Sequence, residues 1–261
     1  MLYPRIIPCL LVHKKGLVKT TKFKDPKYVG DPINAVKIFN EKEVDELIVL
    51  DIDASREGRE PDYKMIENLA IECRMPLCYG GGIKTVEQAQ KIFNLGVEKI
   101  ALSSAAVENP LIIKQLSEQV GNQSVVVVLD IKRKLFGGKY ELFLQNGTKS
   151  TGLDPIAFAQ KVQSLGAGEI VVNSIDYDGV MKGYDMDFIS SIRDAVNIPL
   201  TVMGGAGTLD DIGNVIKQHG IIGVAAGSLF VFKGKFRAVL INYPTTREKS
   251  ELLKTFFLIN K

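Results

Sequence analysis

The second half of this chain repeats its first. PLCYGGGIKTVEQAQKIF at 76–93 resembles PLTVMGGAGTLDDIGNVI at 199–216, and LIVLDIDAS at 47–55 resembles EIVVNSIDYDG at 169–179. One offset serves both alignments, pairing Asp53 with Asp176 and Pro76 with Pro199. A repeat of this length fixes architecture, because each copy is one supersecondary assembly built twice. Within each copy, short apolar runs rich in β-branched residues alternate with amphipathic stretches. Strands are expected over 5–11, 46–53, 76–80, 99–103, 124–131, 169–174, 199–203 and 221–226. Helices are expected over 32–42, 62–73, 86–95, 110–120, 155–165, 187–195 and 209–219. Asp31-Pro32 and Asp154-Pro155 supply an N-cap followed by proline at the first helical position. Gly96 and Gly166 stand where a left-handed helix end is wanted.

Strands that are apolar on both faces belong to a parallel sheet covered by helices. About eight such units close into an α/β fold of the (β/α)₈ barrel type, made of two half-barrels and spanning residues 1–261 as one domain. In that order of units the first strand matches the fifth, and Leu11 is the counterpart of Asp130. KRKLFGGKYELFLQNG at 132–147 breaks the alternation. Its Gly-Gly and Asn-Gly turns predict a small β-hairpin inserted after the fifth strand.

The net charge of +3 is spread along the chain, and no basic and aromatic stripe points to nucleic acid. The densest basic run, HKKGLVKTTKFK at 13–24, reads as either a solvated loop or an anion-binding lid. No apolar run reaches the length of a membrane span, and IIPCLLV is too short for a signal peptide. Cys9, Cys73 and Cys78 show neither disulfide nor metal spacing, and His13 and His219 have no ligand cluster nearby. A cytoplasmic protein without metal or cofactor is expected.

In such barrels chemistry sits at the C-terminal ends of the strands. There the chain carries Asp51, Asp53, Gly80 to Gly82, Ser103-Ser104, Asp130, Asp176, Asp178-Gly179, Gly204-Gly205 and Gly227-Ser228. The glycines of YGGGI and MGGAG let backbone N–H groups approach an anion at a helix N-terminus, or else relieve crowding at tight turns. Two equivalent sets, each followed by a serine-bearing strand end, predict two phosphate cups and a ligand with an anion at either end. Asp130 ends an apolar run and is either a loop cap or a general acid/base. At the opposite end, Arg5, Glu46, Lys99 and Glu169 stand at strand starts and would form a ring of ion pairs across the barrel floor.

The motifs RIIPCL, DELIVLDIDAS, YGGGI, VVVVLDIKRK, SIDYDG, GYD and GGAG together resemble the cyclase subunit of imidazole glycerol phosphate synthase over nearly the whole chain. The resemblance implies a barrel docked through its N-terminal face on a glutaminase subunit. Ammonia would pass a gate formed by Arg5, Glu46, Lys99 and Glu169 and add to a bisphosphate at the other face. It further implies that Asp130 is one catalytic carboxylate and Lys19 the lysine of a mobile loop. Substrate phosphates and neighbouring groups would be held by Gly82, Ser103 and Ser104, and by Asp176, Gly179, Gly205, Gly227 and Ser228.

The chain departs from that family on one face. The family reads Leu-Asp-Val where this chain has Leu10-Leu11-Val12, so the second catalytic aspartate is absent. Val180 stands for a threonine and Met203 for a small hydroxyl residue. FKGKFRAVLINYP at 232–244 replaces the helical ending expected of the ordinary cyclase. These departures resemble the paralogues that serve conversion of an acetamido group of a surface sugar to an acetamidino group, with a glutaminase and a separate amidotransferase as partners. The alternatives are a working histidine-pathway cyclase that tolerates Leu11, and a non-catalytic ammonia conduit.

Overall fold

The computed structural model describes residues 3–134 and 137–259, with 255–259 as backbone only. Its strands are β1 (Arg5–His13), β2 (Gly16–Thr21), β3 (Lys24–Gly30), β4 (Leu47–Asp51), β5 (Leu77–Gly80), β6 (Lys99–Leu102) and β7 (Val125–Arg133), then β8 (Tyr140–Leu144), β9 (Lys149–Ser150), β10 (Glu169–Ser174), β11 (Leu200–Met203), β12 (Gly223–Ala226), β13 (Phe232–Lys233) and β14 (Ala238–Val239). The helices are α1 (Pro32–Glu41), α2 (Tyr63–Glu72), α3 (Val86–Asn94), α4 (Ser104–Glu108), α5 (Leu111–Val120), α6 (Pro155–Ser164), α7 (Met186–Ala195), α8 (Leu209–His219), α9 (Ser228–Val231) and α10 (Thr246–Ile259).

Eight strands pair in parallel in the order β1-β4-β5-β6-β7-β10-β11-β12, and β12 returns to β1, so the sheet is a closed (β/α)₈ barrel. Alternate residues point inward. Ile7, Cys9, Ile48, Cys78, Val126, Val128, Val171 and Ala225 fill the barrel interior, while the opposite strand faces meet the helices in a larger apolar layer. The two halves match in detail. The Thr85 hydroxyl and Gln88 side chain form a capping box at the start of α3, and Thr208 with Asp211 forms the same box at α8. Asp31 and Asp154 cap α1 and α6, accepting from Asn34 N and Ala157 N at 2.9 and 2.8 Å.

Three segments add to or differ from the sequence expectation. The basic run at 13–24 is neither a simple loop nor fully solvated. β1 overruns the barrel to His13 and pairs antiparallel with β2, which pairs with β3. β7 overruns likewise and pairs with β8, Arg133 opposite Tyr140; of the segment read as a hairpin, Leu135 and Phe136 lie outside the described residues. The C-terminal segment does not replace a helix: it forms the β13–β14 hairpin and then leads into α10, which packs on α8. Among the described residues, no helix is long and apolar enough to cross a membrane.

Candidate functional site

The barrel floor is closed by charge. Arg5 on β1, Glu46 just before β4, Lys99 on β6 and Glu169 on β10 all point inward at the strand starts. Arg5 pairs with Glu46 and, at 2.7 Å, with Glu169. The Lys99 ammonium lies 2.9 Å from a carboxylate oxygen of each acid. The Thr201 hydroxyl donates to Glu169 at 2.6 Å. Acid and base alternate round the ring, so each charge has two opposite neighbours. Burial works against ionisation of Glu169, but the Arg5 and Lys99 charges outweigh it and hold the carboxyl below its ordinary range. Burial likewise opposes the Lys99 ammonium, and Glu169 and Glu46 overcome that and raise it.

At the other end the strand tips line a pocket. β1 and β7 are diametrically opposed in the strand order, so Leu11 and Asp130 face each other across it. The pocket has an apolar side and a polar side. Leu11 and Leu50, paired in register, pack on the interior layer with Met203 and Cys9. Opposite them, Asp130 accepts a hydrogen bond from Asn173 Nδ2 at 3.0 Å. Burial pushes the Asp130 carboxyl up to about 7, against the hydrogen bond from Asn173 and with help from the Asp178 charge. A carboxyl poised near neutrality can both give and take a proton. The buried Oδ1 of Asn173 has no hydrogen-bond partner among the described residues.

The two glycine sets close the pocket on either side. A Cβ on Gly81 would lie 2.5 Å from Asp51 O, and one on Gly204 would lie 2.6 Å from Ser174 O. These glycines therefore relieve crowding at equivalent turns, in addition to any role toward a ligand. Gly82, Ser103 and Ser104 line one end, and α4 begins at Ser104; Gly179, Gly205, Gly227 and Ser228 line the other, where α9 begins. The Gly82 N–H points to Ser55 Oγ at 3.3 Å.

The β2–β3 arm folds over the mouth and delivers Lys19, Thr20 and Phe23 to the pocket, while Lys14, Lys15, Lys22, Lys24 and Lys27 remain exposed. Lys19 is buried, donates to Cys9 O and reaches the Gly227 turn. Burial lowers its pKa, against the attraction of Asp178. Thr20 Oγ1 donates to Asp178 at 2.7 Å, tying the arm to the loop after β10.

Of the residues expected at the substrate face, the structure brings Asp130, Lys19, Gly82, Ser103, Ser104, Gly179, Gly205, Gly227 and Ser228 to one pocket. Asp176 is not among the residues lining that pocket; its carboxylate accepts the Arg133 N–H at 2.8 Å and so braces the β7–β8 arm. Asp178 lines the pocket. The sequence reading also passed over Asn173, Gln145 and Asn146. Asn173 could have been found from its place on β10, four residues after Glu169 on the same face. Gln145 and Asn146 arrive from the β8–β9 turn, which no strand-end rule reaches.

The model of a family described as "Histidine biosynthesis protein" matches residues 5–237. The chain is 64% identical over 254 residues to the "Putative imidazole glycerol phosphate synthase subunit hisF3" of Vibrio vulnificus, covering 97% of this chain and 98% of that one. It is 52% identical over 244 residues to the "Putative imidazole glycerol phosphate synthase subunit hisF2" of Pseudomonas aeruginosa, covering 94% and 97%. To the "Imidazole glycerol phosphate synthase subunit HisF" of Exiguobacterium sibiricum it is 40% identical over 230 residues, covering 88% and 91%. The chain belongs to the histidine biosynthesis protein family, among the imidazole glycerol phosphate synthase HisF subunits and their paralogues.

Proposed function

We propose that this member of the family is the ammonia-accepting barrel subunit of a glutamine amidotransferase, and that it serves acetamidino-sugar formation in surface polysaccharide rather than histidine synthesis. One observation carries the reading. All four floor charges are present and mutually paired, whereas the mouth has a leucine facing its single catalytic carboxylate. Desolvating four charges at the barrel floor costs stability that apolar side chains would not, which supports a functional reason for the ring. A leucine cannot move a proton, and loss of one general acid/base group lowers a rate by about 10²–10⁴. The ring serves as the ammonia gate, and the apolar layer of Ile7, Ile48, Val126 and Val171 above it suits passage of an uncharged small molecule.

A glutaminase subunit docks at the floor. Ile71 near the end of α2 and Ile221 ahead of β12 are exposed there, 73% and 48%, in support of an apolar docking surface. A phosphorylated acceptor occupies the mouth, and the sugar amidotransferase meets the complex on that side. The second reading, a working histidine-pathway cyclase, is favoured by Asp130 being poised at about 7 between two intact glycine sets.

The test is coupling. In the reconstituted complex with its glutaminase, Lys99→Ala and Glu46→Ala should uncouple glutamine hydrolysis from product formation. Unchanged coupling in both would remove the gate and with it the proposed role.

A further inference from the structure

The C-terminal segment that sets this chain apart in sequence ends on the barrel floor. From β14 the chain runs extended beside α9, with Leu240 N donating to Val231 O at 2.8 Å and Asn242 N to Phe230 O at 2.9 Å. It then buries Tyr243, 7% exposed, against the Phe230 ring at 5.4 Å between centroids. The Tyr243 hydroxyl donates to Ile6 O at 2.8 Å. It also accepts from Asp45 N at 3.4 Å and lies 3.3 Å from Asp45 Oδ2. That same Oδ2 accepts the Ile6 N–H at 2.9 Å, and Lys249 of α10 pairs with the other oxygen of Asp45.

Ile6 and Asp45 are the chain neighbours of Arg5 and Glu46. Arg5 is held on one side by the β1–β12 ladder, where it pairs with Gly223 and its N–H donates to Ile222 O at 3.1 Å; on the β4 side, one phenol ties the backbone under both members of the Arg5–Glu46 ion pair. β1 and β4 pair in register only from Cys9 and Ile48 upward, so no strand hydrogen bond links Arg5 to the Glu46 segment. Between those two segments the direct links are the Ile6 N–H to Asp45 Oδ2 bond and the Tyr243 hydroxyl that bridges Ile6 O and Asp45. Burial and the nearby Asp45 charge raise the phenol's pKa, so it stays a neutral donor.

We propose that Tyr243 is a positioning residue for the floor ring, holding the backbone of Arg5 and Glu46 so that their ion pair keeps the ring closed. Its importance to ammonia transfer rests on the reading of that ring as a gate; its effect on the geometry of the ring does not. The C-terminal segment thus adds a tie to one arc of the ring, Arg5 with Glu46, while Arg5, Lys99 and Glu169 are each also held by their own strands.

The test uses the full chain. Nuclear magnetic resonance follows hydrogen exchange of the Arg5 guanidinium protons in wild type, Tyr243→Phe and Leu253→Ala. Leu253 is buried in α10, so Leu253→Ala loosens that helix, which carries Lys249, while leaving the Tyr243 hydroxyl in place. Tyr243→Phe should speed Arg5 exchange about tenfold, the factor that goes with loss of one hydrogen bond, and Leu253→Ala should leave it within about twofold. Unchanged exchange in Tyr243→Phe overturns the proposal, as does equal acceleration in Leu253→Ala, which would make the effect general loosening. The coupling measured in Lys99→Ala tests the gate separately. A gate that fails there leaves the exchange result to decide the positioning role by itself.

Discussion

The two ends of this barrel treat buried charge in opposite ways. At the floor, four ionisable side chains neutralise one another, and Glu169 is held ionised by Arg5 and Lys99. At the mouth, Asp130 has no cation within ion-pair distance among the described residues, and its carboxyl rises to about 7. The floor is built to keep its charges fixed, the mouth to let one vary. Fixed, mutually satisfied charges suit a gate whose polarity must not change, and a tunable carboxyl suits proton transfer. The leucine opposite Asp130 means that this second design is half present.

The largest effect should come from breaking the floor. Glu169→Ala leaves Arg5 and Lys99 short of a partner and should cost about 3 kcal/mol in urea unfolding. Because the folded carboxyl is depressed below its ordinary 4.5, its contribution is full above that pH and is lost on acidification through the folded value. The gap between wild type and variant should therefore narrow as pH falls below about 4.5. A gap that stays constant with pH would mean that the ring is not held by charge.

The mouth should show the opposite sign. With Asp130 at about 7 against 3.8 when exposed, wild type loses stability as pH rises between those values and levels off above them. Asp130→Asn removes that loss. It should be more stable than wild type at pH 8 by on the order of 2 kcal/mol and about equal near pH 4. If Asp130→Asn is no more stable than wild type at pH 8, the carboxyl is not under strain and the contrast between the ends fails.

Adding the missing acid sharpens the comparison. Leu11→Asp sets a second carboxyl across from the first and removes apolar contact with Leu50, at a cost of about 1 kcal/mol. The Asp130 titration, followed by nuclear magnetic resonance, should move up or split into two steps. The smallest effect is expected at the rim. Arg237 Nη2 donates to Gly179 O at 3.1 Å, bracing the loop that forms one end of the pocket. Arg237→Met should weaken inorganic phosphate binding there a few-fold by calorimetry, about the worth of a modest hydrogen bond.

Much of this contrast could be read from the sequence because it lies on strand ends. Once the repeat gives eight strands, the residue before each run is at the floor and the residue after it is at the mouth. Arg5, Glu46, Lys99, Glu169 and Asp130 follow directly. What stayed hidden depends on chain reversal. GLVKTT at 16–21 carries a lysine that ends up buried, although lysines are rarely buried without a partner. Lys19 is accepted because Cys9 O and Asp178 lie beside it, neither of which the local sequence shows. Asp176 and Asp178 look interchangeable in SIDYDG, yet the turn aims one at Arg133 N and the other at Thr20. Tyr243 reaches Asp45 across 198 residues, a contact that no periodicity encodes.

The measurement closest to the central claim is ammonia-driven turnover of the bisphosphate histidine-pathway substrate by the isolated chain, in wild type and in Leu11→Asp. The account predicts no appreciable turnover in wild type, because Leu11 faces Asp130 where the proposed reading needs a second carboxylate; recovery in Leu11→Asp would show that the substrate still fits. Rapid turnover by wild type would contradict the account and make the chain a working cyclase.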